Sequence, residues 1–170
     1  MHVFAHNGNL SNGAAKHSGD VPRFKPLGQT DSEIAFCLLL DRLAPLWASG
    51  VNPSLQSRLA VVTAFARDIR AFGPANFLYA DGDALFAHGH RRRQASTGKV
   101  QAPGLWMTTR SCAARGAATD GAAGDGAGVS VHHPDQAMVM VASVPLTDDV
   151  WQPFDDGEIR VVRKGAWLAL

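Results

Sequence analysis

The sequence predicts an α+β domain built on antiparallel strands. Two amphipathic segments follow one another early in the chain, and most strand-like segments come after them, joined by short turns. Grouped helices followed by a meander of strands favour an antiparallel sheet; a doubly wound parallel sheet would alternate strand and helix. The chain has 170 residues, enough for one core, and no change of composition marks a second domain, so residues 1–170 are read as a single domain.

The elements follow in order. His2–Ala5 reads as a short strand, ended by Asn7-Gly8, a dipeptide that tolerates positive φ and is common in turns. Ser11 to Gln29, with Gly13, Gly19, Pro22, Pro26 and Gly28, reads as a polar loop. Thr30-Asp31-Ser32-Glu33 fits a capping box, with Thr30 as N-cap and Glu33 at N3. The helix behind it carries Ile34, Cys37, Leu38, Leu40, Leu43 and Trp47, an apolar set broad enough to predict deep burial, and Pro45 should bend or end it. Asn52-Pro53 predicts the start of a second helix, with asparagine as cap and proline at the first helical position. Its stripe is Leu55, Leu59, Val62, Phe65, Ile69 and Phe72, and Gly73-Pro74 stops it.

Beyond this point the apolar period falls to two. Asn76–Ala80 and Ala84–His88 read as a hairpin across Asp81-Gly82, and Leu105–Thr109 as a further strand. Residues 113–128 are nearly all Ala, Gly, Asp and Thr and predict a flexible surface loop. Val129–Val131 is read as a short strand and Ala137–Val144 as a strongly apolar one, ended by Pro145. Ile159–Val162 and Ala166–Leu170 close the chain as a hairpin across Lys164-Gly165.

Composition excludes several classes. An apolar fraction of 46% and a charged fraction of 18% exclude disorder of the whole chain. Sixteen basic against fifteen acidic residues leave no global field for nucleic acid or an anionic membrane. The densest basic run, Arg91-Arg92-Arg93, reads as a solvated strand end or loop. Cys37 and Cys112 do not make a disulfide framework and suit a reducing compartment. The N-terminus has no secretory pattern, and the longest apolar run, Ala35–Leu40, is far too short to cross a bilayer. These features predict a cytoplasmic protein with no nucleic-acid or membrane partner. The chain also enters a strand at once, as though it began within a domain.

Three constellations bear on chemistry. The Asn7 amide and the Gly8 N–H stand at a strand end, where two donors can point at one spot and form an oxyanion hole; the local alternative is a plain turn. Asp31 at the first helical position is held ionised by the helix dipole and can receive an ammonium group, or it merely improves the helix start. His88 and His90 would share one strand face, while His132 and His133 would face opposite ways. None has cysteine or carboxylate companions at ligand spacing, so no metal site is expected, and partly exposed histidines at strand ends are the better reading. Cys37 in an apolar helix should face the core, protonated and inert, and Cys112 lacks a base at a recognisable distance. No glycine-rich phosphate loop is present, and no cofactor is expected.

In combination these segments carry a resemblance. Phe4-Ala5-His6-Asn7-Gly8-Asn9-Leu10 resembles a strand and turn of the class II glutamine amidotransferases, and Gly28-Gln29-Thr30-Asp31-Ser32-Glu33 resembles that family's helix start. Phe77–Gly82 with Leu85-Phe86-Ala87 resembles its next hairpin. Val141–Thr147, with Trp151, Pro153, Gly157 and Glu158, resembles the closing segment of its stand-alone branch. The resemblance covers nearly the whole chain apart from residues 113–128. It implies the N-terminal-nucleophile hydrolase sandwich, two antiparallel sheets between helical layers. It also implies hydrolysis of the side-chain amide of glutamine, or of another γ-glutamyl amide. An N-terminal cysteine attacks, its own α-amine acts as base, and ammonia leaves. Asn7 and Gly8 would correspond to the oxyanion hole and Asp31 to the ligand of the substrate α-ammonium, the three lying around one concavity.

One departure is large. The family's N-terminal cysteine and the arginine that holds the substrate carboxylate have no counterpart between Met1 and His6. The resemblance therefore implies that both would precede Met1. The chain is then expected to be the C-terminal part of such a domain, with no nucleophile of its own, incomplete in its leading strands and left with an open sheet edge. The alternative is a non-catalytic module that keeps part of the pocket.

Overall fold

Side-chain alternation along one central strand organises the molecule. The computed structural model describes residues 1–11, 23–48, 50–111 and 137–168. Cys112, the 113–128 segment, Val129–Val131, His132, His133 and most of the 11–29 loop lie outside the described residues. The elements are β1 (Val3–Gly8), α1 (Asp31–Trp47), α2 (Leu55–Ile69), β2 (Ala75–Ala80), β3 (Leu85–His88), β4 (Arg92–Arg93), β5 (Val100–Gln101), β6 (Trp106–Ser111), β7 (Ala137–Ala142), β8 (Gln152–Pro153), β9 (Ile159–Arg163) and β10 (Ala166–Leu168). A 3-10 turn, Arg70–Phe72, follows α2. The described strands form a five-stranded sheet in the order β1-β2-β3-β9-β10, a three-stranded sheet β7-β6-β8 and the small ribbon β4-β5. Every pairing among them is antiparallel.

Ala75, Phe77 and Tyr79 of β2 point to one face of the five-stranded sheet, joined by Phe86 of β3 and Val161 of β9. Against them pack Ala35, Leu39 and Leu43 of α1 and Val62, Phe65, Ala66 and Ile69 of α2. The opposite face, through Leu78 and Ala87, packs on Leu105, Met107 and Phe154, with Val139 and Val141 of β7 alongside. The layers are thus helices, five-stranded sheet, three-stranded sheet, which is the expected α+β sandwich. Both described helices lie on one face, as the grouping of the helical segments predicts.

Local differences have local causes. The fully buried stripe of α1 is Ala35, Leu39 and Leu43, spaced by four, while Leu38 is only partly buried and Cys37 is of intermediate exposure. Among consecutive leucines, spacing alone does not say which one faces inward. Half of the capping box forms: the Thr30 hydroxyl accepts from Glu33 N–H at 3.2 Å. The Glu33 carboxylate instead reaches back to the N–H groups of Leu27 and Gly28, at 2.6 and 2.8 Å. Pro45 is tolerated in the last turn of α1, where the Ala48 N–H bonds to its carbonyl. The second helix is capped by Ser54, not Asn52, because the Ser54 hydroxyl accepts from Ser57 N–H at 3.0 Å. The closing hairpin turns at Lys164 and Gly165, with φ of 53° and 76°, the primed turn that suits twisted strands. No helix among the described residues is long and apolar enough to cross a membrane.

Candidate active site

Asn7-Gly8 is not a turn. β1 continues through both residues, with Asn7 opposite Asn76 and Gly8 opposite Ala75. Glycine is required for space: a Cβ at Gly8 would lie 1.8 Å from the Pro74 carbonyl oxygen and 2.6 Å from His6 Nε2. The neighbouring Asn9 N–H donates to that same carbonyl at 3.2 Å. The strand end and the Gly73-Pro74 segment therefore lie backbone against backbone. Gly8→Ala should separate them, lowering stability by about 1–3 kcal/mol and weakening any ligand held by the strand end. A denaturation midpoint unchanged from that of the parent would refute this packing.

Three segments far apart in sequence meet at this corner. The Asn7 amide donates to Ser143 Oγ at 2.6 Å, just beyond the end of β7. The Leu10 N–H donates to Asp31 Oδ2 at 2.8 Å, tying the chain after β1 to the first residue of α1. His6 Nδ1 lies 3.0 Å from Ser32 Oγ. Asp31 Oδ1 accepts from its own neighbour, Ser32 N–H, at 2.8 Å. A carboxylate has about four acceptor positions, so these bonds leave Asp31 room for a further donor. Burial favours the neutral ring and pushes the His6 imidazole below its ordinary pKa, against the pull of Asp31, which favours the charged form.

Behind the strand end sits a polar cluster that hydropathy pattern did not single out. Asn76 is 1% exposed. Its amide nitrogen donates to the carbonyls of Asn7 and Arg91, at 2.9 and 2.8 Å, and its oxygen accepts from His90 N–H at 2.7 Å. One buried side chain thus fixes the backbone of the Asn7 corner to that of the 90–91 segment. Gly104 completes the cradle, since a Cβ there would stand 1.7 Å from Asn76 Oδ1. The available signal was a lone asparagine opening an otherwise apolar strand.

His88 and His90 do share a face, their rings 6.2 Å apart, but they are buried rather than partly exposed. The strand end that carries them is covered, not solvated. His88 Nδ1 bonds to the Ala75 carbonyl at 2.7 Å, and burial pushes its pKa down to about 4. His90 Nδ1 accepts from Ala75 N–H at 3.3 Å, and burial also holds His90 below its ordinary value, against the attraction of Asp156. Among the described residues no group of three or more His, Cys, Asp or Glu is arranged to hold a metal ion.

Asn7 and Gly8 line a cleft of about 620 Å³, within the usual range of small-molecule sites. Arg91, Arg92, Arg93 and Val100 line it as well, so the arginine run is part of a cleft wall and not simply a solvated strand end. Asp31 does not line this cleft; the Leu10 hydrogen bond places it just beyond the strand end. Burial pushes the Cys37 thiol up, and the Glu33 and Asp41 carboxylates one helical turn away on either side push it further. Cys37 is therefore protonated, but the carboxylates share the cause with burial.

The sequence profile of the class-II glutamine amidotransferases matches residues 1–170. The chain belongs to this family. It is 28% identical over 166 residues to an uncharacterized protein of Methanocaldococcus jannaschii, covering 98% of this chain and 42% of that protein. It is 30% identical over 161 residues to YafJ of Escherichia coli, covering 94% and 56%. The chain thus spans about half the length of these relatives. Its structure is similar to that of a predicted glutamine amidotransferase of Pseudomonas aeruginosa, with a TM-score of 0.71 at 28% identity, over 99% of this chain and 60% of the other. In fold alone it also resembles a class-II domain protein of Silicibacter pomeroyi, with a TM-score of 0.52 at 19% identity, over 98% and 66%.

Proposed function

We propose that this chain supplies the oxyanion and ammonium-binding parts of a site for glutamine or a related γ-glutamyl amide. In the whole protein that site serves amide hydrolysis with release of ammonia. Asn7 and Gly8 would present the side-chain amide and backbone N–H to the developing oxyanion, and Asp31 would receive the substrate α-ammonium. The observation that carries this reading is the meeting of three family segments at one corner, through the bonds Asn7 to Ser143, Leu10 to Asp31 and His6 to Ser32. In the free chain the Asn7 amide donates to Ser143; a substrate carbonyl would take over that donor.

The nucleophile is a separate matter. No cysteine stands before Asn7, and the protonated Cys37 lies on α1, whose carboxylates oppose the thiolate that attack requires. The 170-residue chain alone is therefore expected to bind glutamine without turning it over. Glutamate release by the purified chain should equal the buffer blank. NMR titration with glutamine should show binding that weakens about tenfold in Asp31→Asn, the loss of roughly one charge-assisted hydrogen bond. Turnover that disappears in Asn7→Ala would reveal a nucleophile within the chain. Glutamine affinity unchanged in Asp31→Asn would remove Asp31 from the site.

A further inference from the structure

Resting on that reading, we propose that the cleft beside Asn7 and Gly8 receives the amine side of a γ-glutamyl amide and selects amines that carry a carboxylate, with Arg92 as the recognising residue.

Space comes first. If ammonia were the only leaving group, a site about the size of one water, near 30 Å³ of liquid volume, would suffice. The cleft holds about 620 Å³. Asp31, the proposed ligand of the α-ammonium, lies outside its lining. With the carbonyl oxygen at Asn7 and Gly8, the amino-acid end of the substrate runs toward Asp31. The other substituent of the carbonyl, the amine, then faces the cleft, beside the approach that the attacking nucleophile needs.

Charge comes second. Among the described residues the lining holds three arginines and no carboxylate. Arg91 is already paired, donating to Asp156 at 2.6 Å. Arg93 donates to the Gly98 carbonyl at 2.9 Å. Arg92 differs: its Nε is buried and has no partner among the described residues. That Nε is closed to the cleft, so a ligand there would meet the terminal N–H groups of the guanidinium, and a planar carboxylate is the acceptor that fits them. Asn76 sets the distance, because the same amide nitrogen bonds the carbonyls of Asn7 and Arg91. The backbone that leads into Arg92 is therefore fixed beside the strand end that carries Asn7. A γ-glutamyl amino acid with its γ-carbonyl at Asn7 would direct its own carboxylate toward Arg92.

The test compares two ligands that differ in that one charge. The 170-residue chain is titrated by NMR with γ-glutamylglycine and with γ-glutamylglycinamide, with glutamine as the reference. The acid is expected to bind at least tenfold more tightly than the amide at low salt, a preference that shrinks as salt screens the pair. In Arg92→Gln the ratio should fall to about one. Arg92→Lys should restore part of it, since lysine keeps the charge without the fork. Equal affinity for the two ligands in the parent chain, which needs no variant to fold, would overturn the proposal while leaving the glutamine site standing. A preference that persists in folded Arg92→Gln would overturn it as well. If glutamine and both dipeptides fail to bind, the site assignment itself falls, and this proposal with it.

Discussion

Replacing Arg58 by alanine is expected to lower the stability of the chain by about 3–5 kcal/mol, the cost of breaking a buried ion pair from one side. Arg58 is 4% exposed at the end of the first turn of α2. It donates to Asp81 at 2.5 Å and to Asp83 at 2.7 Å, and Asp83 accepts in turn from Arg163 at 2.9 Å. The Asp81 side chain is 0% exposed and also accepts from the N–H groups of Asp83 and Ala84, which shapes the β2–β3 turn. Without Arg58 the Asp81 carboxylate stays buried with no cation beside it, and α2 loses its polar tie to the sheet. The double substitution Arg58→Met with Asp81→Asn should recover most of the loss, because it removes both charges together. Urea midpoints at pH 7 measure both. A loss below about 1 kcal/mol in Arg58→Ala, the range of exposed pairs, would mean the pair is solvated in solution.

Acidification from pH 7 to pH 4 is expected to destabilise the fold by about 3 kcal/mol through His88 alone. The sign follows from proton counting. Burial pushes the folded-state pKa of His88 down from 6.5 to about 4. Between those values the unfolded chain binds a proton that the folded chain refuses, so stability is fully present above 6.5 and is lost as pH falls toward 4. His90 and His6 are shifted in the same direction by burial and add to the slope. The ordinary alternative, a surface histidine, would give no slope. NMR titration of the His88 ring is the direct check: its shifts should stay constant down to about pH 5, and a midpoint near 6.5 would contradict the burial of the ring between Phe77 and the Ala75 carbonyl.

The two predictions draw on residues of different legibility. Leu55, Val62, Phe65 and Ile69 announced α2 because a helix repeats every 3.6 residues, and only one stripe can be buried. Thr30 announced the start of α1 because an N-cap is a local bond, made within four residues. Phe77, Tyr79 and Phe86 announced the hairpin through alternation. Arg58 gave no such signal. It stands among small and polar neighbours on a helix, where arginine is usually solvated, and its burial depends on two aspartates more than twenty residues away. The histidines failed for the same reason: a two-residue spacing says that His88 and His90 share a face, but not that the face is covered. Two-residue ladders such as β4, β5 and β8 are too short to show any period.

The functional corner divides in the same way. The sequence by itself determined the α+β class, the Thr30 cap of the first helix, and the family resemblance that marks Asn7, Gly8 and Asp31, because each depends on residues near one another in the chain or on the order of short motifs. It could not determine that Gly8 continues a strand. That follows from Pro74 pressing against it, a contact sixty-six residues distant. Only the tertiary structure decided that Asn76 locks the Asn7 corner to the arginine run, that Ser143 meets the Asn7 amide, and that Arg92 lines the cleft. These are contacts between separate strands, set by sheet register and packing, and a register that joins residues sixty or more positions apart leaves no periodic trace in either segment.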